Sequence, residues 1–331
     1  MNILVTGGAG YIGSHTVRAL LRAGHKPIIV DNLSRGHKAS VPDGVICLEM
    51  DIADPVMVKV MKDYTVDGIM HFAAHSQVGE SMVHPSIYYE NNVVGSWKLI
   101  ESARKAGVNY FVFSSTAAVY GEPEEVPIKE CAKLNPTNVY GRTKLMIEQI
   151  LEDYSNIYGM AYVALRYFNA AGADPSGLIG EDHSPETHLI PLVLSAALGI
   201  RPNITVFGQD YDTADGTCVR DYIHVNDLAS AHVLAMDYLA KGHASTVFNL
   251  GSGEGFSVKA IIDTAKVITG IDFPVVYGER RAGDPSTLIA SSQKIKDTLG
   301  WKPVYSNVND VIADAWKWHQ AHPYGYNDKK W

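Results

Sequence analysis

Short apolar runs alternate with amphipathic stretches along the first half of the chain. Residues 3–6, Ile3-Leu4-Val5-Thr6, are too few for a helix and read as a short buried strand. A glycine-bearing turn follows, and apolar positions at helical spacing then run to about residue 24. Further strands are expected at 27–30, 45–50, 67–74, 110–114 and 161–167. Helices are expected at 91–107 and from the polar residues Asn135 to Asn138 to about residue 158. Strand alternating with helix predicts an α/β fold with a parallel, doubly wound sheet. Such sheets gather ligands at the carboxyl ends of their strands.

After Phe168-Asn169-Ala170-Ala171-Gly172 the pattern changes. Residues 173–187 and 209–217 have the polar, Gly-bearing composition of loops, while 219–240 resume a strand followed by a helix. The expected division is a sheet-forming domain over 1–170, to which 219–245 return, and a smaller α/β lobe made of 171–218 and 246–331. A length of 331 residues suits two unequal lobes better than one core.

A net charge of -8 without a basic run speaks against a nucleic-acid surface. Cys47, Cys131 and Cys218 are far apart and form no Cys-x-x-Cys pair, so they read as reduced thiols of a cytoplasmic protein. His71 and His75 are four apart but straddle a strand end, where helical spacing has no meaning, and no metal site is expected. The strand that begins right after Met1-Asn2 leaves no room for a signal peptide, and no apolar run is long enough for a bilayer.

The turn after the first strand carries Gly7, Gly10 and Gly13 as Gly-x-x-Gly-x-x-Gly, a variant of the dinucleotide fingerprint. Missing side chains let the backbone approach a pyrophosphate, whose charge the N–H groups at the helix start stabilise. Asp31 follows the second strand, where a carboxylate accepts from the adenosine ribose hydroxyls and repels a ribose phosphate. NAD is therefore expected rather than NADP, with Arg35 nearby pointing the other way. Asp51-Ile52 can flank an adenine, and the small apolar exit Phe72-Ala73-Ala74 suits a surface lying along a cofactor.

Tyr140 and Lys144 lie four apart near a helix start and project from one face. A cation beside a phenol favours the phenolate, which makes a base usable nearer neutrality. Thr116, at the end of a strand, supplies a hydroxyl to the same place. Later in the chain, Arg220 and the stretch Arg280-Arg281-Ala282-Gly283-Asp284 offer guanidinium forks to a diphosphate.

Gly7-x-x-Gly10-x-x-Gly13, Asp31-Asn32, Tyr140-x-x-x-Lys144 and the extra lobe resemble the extended short-chain dehydrogenase/reductase family, whose fold is of the Rossmann type. Ser115-Thr116-Ala117-Ala118-Val119-Tyr120-Gly121, Asn169-Ala170-Ala171-Gly172 and Val219-Arg220-Asp221-Tyr222-Ile223-His224-Val225 are similar to its nucleotide-sugar epimerases, over essentially the whole chain. The resemblance implies an isomerase of galactose metabolism that inverts carbon 4 of UDP-glucose and UDP-galactose through a transient 4-keto sugar, with NAD tightly held. Tyr140 would take the proton of the 4-hydroxyl, Thr116 would orient that hydroxyl, and Lys144 would lower the Tyr140 pKa and hold the nicotinamide ribose.

The resemblance also assigns Tyr11, Ile12, Asn32, Ser34, Arg35, Gly36, His75, Ser76, Asn91, Ser114 and Phe168 to the cofactor, beside the residues already named. To the UDP-sugar it assigns Asn169, His188, Leu189, Thr205, Val206, Phe207, Arg220, Arg281, Asp284 and Leu288, with Thr116 and Tyr140. It implies a homodimer joined through the helix at 91–107 and the helix of Tyr140. Leu145, Ile147, Ile150 and Leu151 suit that interface and a sheet-facing side equally well.

Three positions depart from many relatives or divide them. His188 stands where Asn is common, Ser76 where Lys is common, and Leu288 where small side chains admit an N-acetyl group and Tyr excludes it. Leu is intermediate, so partial activity on UDP-N-acetylglucosamine is expected. Sugar 4,6-dehydratases carry an acidic pair after the Thr; Ala117-Ala118 leaves that chemistry without its acid. Epimerisation of a UDP-uronic acid stays open. A silent NAD-binding module, a reading of another class, would have no use for Thr116, Tyr140 and Lys144 together.

Overall fold

Seven parallel strands carry the molecule. Across the sheet their order is Thr246–Leu250, Ala161–Tyr167, Tyr110–Thr116, Gly68–His71, Asn2–Thr6, Lys26–Asp31 and Ile46–Glu49. Every neighbouring pair runs parallel. Chain order reverses between Asn2–Thr6 and Gly68–His71, which opens a crevice at their carboxyl ends. The computed structural model describes residues 1–281 and 284–326; Ala282, Gly283 and 327–331 lie outside them.

The strands are apolar on both faces because helices cover both. Tyr11–Arg22 and Val225–Ala240 lie on one side, where Val17, Leu20, Leu228 and Met236 pack with Val5 and Val112. Met57–Asp63, Ser96–Ala106 and Val139–Tyr158 lie on the other, where Leu99, Ile100, Ile147 and Leu151 pack with Leu4, Phe111 and Phe113. Ile150 joins that second core and Leu145 packs against Val119, Tyr120 and Ile128. Leu145, Ile147, Ile150 and Leu151 of the Tyr140 helix thus all pack within the chain.

A buried polar network crosses the sheet beneath the strand ends. Glu148, on the helix, pairs with Arg166 of the neighbouring strand and accepts from Ser115, and both members of the pair are buried. Arg166 also donates to the Tyr120 hydroxyl at 3.0 Å, which in turn donates to Asn249 at 2.7 Å. Three adjacent strands and the loop after Thr116 are tied by fully satisfied groups, the condition under which buried charge is tolerated.

The smaller lobe differs from its expected bounds. Val219–His224 sits in a second, four-stranded sheet with Gly255–Ser257, Thr287–Leu288 and Asn169–Ala171. Thr246–Leu250 belongs to the large sheet, because its apolar run finds cover on both faces beside Ala161–Tyr167. Ile295 and Trp301 pack in the large sheet's core as well. The chain therefore crosses between the two parts again after residue 245. The lobe core gathers Ile190, Val193, Ile261, Ile312 and Trp316 from the helices Leu189–Ala197, Val258–Thr269 and Val308–Ala321. Among the described residues no helix is long and apolar enough to cross a membrane.

Candidate active site

The glycine turn is built on a backbone contact. A Cβ on Gly13 would lie 2.1 Å from the Gly7 carbonyl oxygen, so only glycine lets the helix Tyr11–Arg22 start directly on the turn. The first-turn amides of Tyr11, Ile12 and Gly13 have no intrahelical acceptor, and these residues line the cleft together with Gly7 and Gly10. This cradle fits a pyrophosphate. Asp31 lies beside it, buried, with Oδ2 accepting from Ala9 N–H at 3.0 Å and Oδ1 from Leu33 N–H at 2.9 Å. A carboxylate held in this way is oriented toward the place of the ribose hydroxyls.

Asn32, Ser34, Gly36, Asp51 and Ile52 line the same wall, with the Asn32 amide donating to Asp51 at 3.3 Å and the Ser34 hydroxyl to Asn32 at 2.6 Å. Arg35 is bound to Glu80 at 3.3 Å and to the Ser184 carbonyl, so its charge is already matched by a carboxylate. Phe72, Ala73, Ala74, His75 and Ser76 continue the wall. His71 does not: it is buried between the Thr6 hydroxyl at 2.6 Å and the Ser96 hydroxyl at 2.7 Å. Burial, helped by Lys144, lowers its pKa to about 3, so it is a neutral strut.

The second half of the cleft rests on another close approach. Asn138 caps the helix Val139–Tyr158 by accepting from Gly141 N–H at 2.8 Å. A Cβ on Gly141 would meet the Ala118 carbonyl oxygen at 2.5 Å, so the helix start lies against the turn that follows Thr116. Thr116 itself accepts from Ala118 N–H at 3.1 Å. Tyr140, Lys144 and Thr116 thereby meet on one wall, with Ser114 and Phe168 beside them.

Their protonation departs from expectation. Burial pushes the Tyr140 phenol up to about 12, with the Thr116 hydroxyl pulling the other way. Burial also lowers Lys144 to about 7, against the pull of Glu148. The ammonium lies 5.9 Å from the centre of the Tyr140 ring and donates to the Ser114 carbonyl at 2.8 Å. With its ammonium committed to the strand end, Lys144 leaves burial as the main influence on the Tyr140 phenol, opposed by the Thr116 hydroxyl.

The whole cleft encloses about 900 Å³, and its residues come from the large sheet and the lobe together. The profile of the NAD dependent epimerase/dehydratase family matches residues 3–251. The chain belongs to that family. As an epimerase/dehydratase its cofactor is NAD, which the glycine cradle and Asp31 fit. It is 52% identical over 328 residues to a UDP-glucose 4-epimerase of Halalkalibacterium halodurans, covering 99% of this chain and 98% of that protein. A solved UDP-glucose 4-epimerase superposes with a TM-score of 0.97 at 50% identity, covering 99% of this chain and 100% of the other. The Brucella ovis UDP-glucose 4-epimerase, solved in complex with NAD, gives 0.93 at 46% identity, with 95% and 97% covered.

On the lobe side, this epimerase/dehydratase brings Asn169, His188, Arg220, Arg281, Asp284 and Leu288 to the cleft wall. Arg220 is paired there with Asp284 and also donates to the Pro285 carbonyl at 2.8 Å. Arg281 lies over the Phe207 ring, 4.2 Å from its centre. Leu189, Thr205, Val206 and Phe207 are not on the wall. Val206 is 1% exposed and belongs to the lobe core, so its side chain is closed to a ligand, and Leu189 packs against the same core. Arg280 turns away to Asp210 and stacks on Tyr211.

Some groups that shape the wall, or reach it, carry no recognisable signal in the sequence. Asn91 reaches the wall, but the buried Asn92 beside it holds the loop: its amide binds both the N–H and the carbonyl of His75, at 2.9 and 3.0 Å, and the Thr143 hydroxyl at 3.2 Å. It sits in a wide π turn, Tyr89–Gly95, a geometry found often at functional sites. Glu181, His183 and Thr187 also reach the wall from the stretch read as loop.

Lys144 sets a pH dependence. Its folded pKa is about 7, against roughly 10.4 unfolded, so between these values the unfolded chain holds the extra proton and stability rises with pH. The urea midpoint of wild type should therefore rise from pH 7 to 9 by more than that of Lys144→Met. Parallel curves would show that the lysine is not desolvated in this way.

Proposed function

We propose that this chain interconverts UDP-glucose and UDP-galactose by inverting carbon 4 through a transient 4-keto sugar. One observation carries the reading. The Thr116 hydroxyl, the Tyr140 phenol and the Lys144 amine share a wall between a dinucleotide cradle and a lobe bearing paired guanidinium and carboxylate groups. NAD, when bound, supplies the hydride acceptor and donor and a positive ring that favours the phenolate. Tyr140 would take the proton of the 4-hydroxyl and, once the 4-keto sugar has turned its other face to the nicotinamide, return it to the same oxygen as carbon 4 regains its hydrogen from that other face. Thr116 orients the hydroxyl, its own oxygen fixed by Ala118 N–H. Lys144 holds the strand end in place and offers its remaining protons to a ribose.

Ala117 and Ala118 line the cleft next to Thr116, so no acid stands where a dehydratase needs one.

Two finer points belong to the same reading. Leu288 reaches the cleft from the strand Thr287–Leu288, and its intermediate size leaves room for part of an N-acetyl group. A cytoplasmic homodimer fits the exposed apolar surface of two neighbouring helices. Tyr154 donates to Glu101 at 3.1 Å and Arg104 lies over Tyr158, so the helices run side by side. Val94, Trp97, Ile157 and Tyr158 stand exposed on that pair, Ile157 at 70%.

Incubation with UDP-galactose and no added NAD should yield UDP-glucose. Tyr140→Phe should keep its dinucleotide and lose about 100- to 10,000-fold in turnover; normal turnover would remove Tyr140 from the role of base. UDP-N-acetylglucosamine should be turned over more slowly than UDP-glucose. A rate below roughly a thousandth of it, about 4 kcal/mol, would close the pocket to that sugar. Light scattering should give a dimer for wild type and a monomer for Trp97→Glu; a monomeric wild type would sink the assembly.

A further inference from the structure

We propose that Glu181, His183, Glu186 and His188 form a site for one divalent transition-metal ion, best suited to zinc, which fastens the roof of the cleft. Each offers one donor atom, and the four atoms lie within 4.8 Å of one another. His188 Nδ1 is 2.6 Å from Glu181 Oε1 and 3.5 Å from Glu186 Oε1. His183 Nδ1 is 3.3 Å from Glu181 Oε1 and 3.6 Å from Glu186 Oε2. In a tetrahedron with metal bonds near 2.0–2.1 Å, neighbouring donors stand about 3.3 Å apart. The cluster needs only small side-chain shifts to reach that shape.

A second observation is independent of the spacing. His183 Nδ1 is shut off from solvent and faces both carboxylates, at 3.3 and 3.6 Å, without a well-aligned hydrogen bond to either. A ring nitrogen held between two carboxylates by their charge, with no directed hydrogen bond, stands where a metal ligand would. The outer contacts are also in place. Glu186 Oε1 accepts from Thr187 N–H at 2.7 Å and from His188 N–H at 2.8 Å, which fixes the carboxylate. The Glu181 carbonyl accepts from Trp318 Nε1 at 3.2 Å, and the His183 ring meets the edge of Tyr11. Such second-shell contacts hold ligands in orientation.

The donor set selects the ion. Two imidazoles with two carboxylates suit zinc and its neighbours, whereas magnesium and calcium take oxygen donors in larger number. Two carboxylates also cancel the charge of a divalent ion. With four protein donors the site is closed, which is the structural rather than the catalytic pattern. Without an ion the same cluster is held by protons. Burial opposes charge on both imidazoles, but the carboxylates outweigh it, pushing His183 up to about 10 and raising His188. A metal must displace those protons, so it binds more tightly as pH rises.

The position gives the site its consequence. Residues 181–188 pass from the lobe over the cofactor side, where Arg35 donates to the Ser184 carbonyl and Gln77 to the Pro185 carbonyl at 2.9 Å. His188 ends the stretch as the residue that starts the helix Leu189–Ala197. With Nδ1 on the metal its proton stays on Nε2, so the ring offers a donor to the cleft it lines.

The test uses the full chain with its NAD, stripped by chelator, desalted, given zinc chloride at pH 7.5 and desalted again. Mass spectrometry for metals should find one zinc per wild-type chain and none in His183→Ala/Glu186→Gln. Zinc should raise the melting temperature of wild type alone. Cobalt in place of zinc should give the visible bands of a tetrahedral site in wild type only. If the double variant does not fold, Glu186→Gln, which keeps both rings, is measured in its place and should retain less zinc than wild type. Failure of wild type to retain zinc, or equal retention by the variants, overturns the proposal.

Discussion

Two points where a side chain has no room decide where everything else in this molecule can stand. At Gly13 the helix backbone sits on the carbonyl of Gly7, and at Gly141 another helix sits on the carbonyl of Ala118. The first contact brings amide donors to the carboxyl edge of the sheet. The second brings Tyr140 and Lys144 to Thr116. Both lie beside the reversal of strand order, so the cradle and the proton-handling groups share one crevice by topology rather than by any contact between them.

The groups that handle the proton are held at a cost. Lys144 is 3% exposed and Tyr140 is raised well above an ordinary phenol, so the free protein contains a base that is not yet a base. This is a common balance in enzymes, where a site is kept in a state that only the ligand makes favourable. Rigidity comes from below. Glu148, Arg166, Tyr120 and Asn249 lock three strands and the loop that follows Thr116, directly beneath the desolvated lysine.

Much of this was legible in the sequence. The strand Ala161–Tyr167 and the helix end at Tyr158 stand where apolar pattern and turn residues put them, and Asn138 caps the helix as its position suggests. Short apolar runs and Gly-bearing turns act locally, so local reading finds them. What escaped depends on distant partners or on the absence of a period. Leu189–Ala197 is apolar on nearly every side and shows no stripe, although Pro191 in its first turn is a helix signal. Glu148 and Arg166 meet across a helix and a strand, which no spacing announces. Val206 looked like a ligand contact by resemblance and is core by packing. The run Glu181-x-His183-x-x-Glu186-x-His188 was visible, but a loop gives no reason for four side chains to converge.

The tie between the Tyr11 hydroxyl and the Gly172 carbonyl, 2.7 Å long and part-buried, has a mechanical meaning. Tyr11 stands at the start of the glycine helix and Gly172 at the root of the lobe, with His37 and Asp182 joined beside them at 3.4 Å. Both contacts join the glycine helix and the loop beyond it to the lobe, so the lobe cannot swing away from the large sheet without breaking them together.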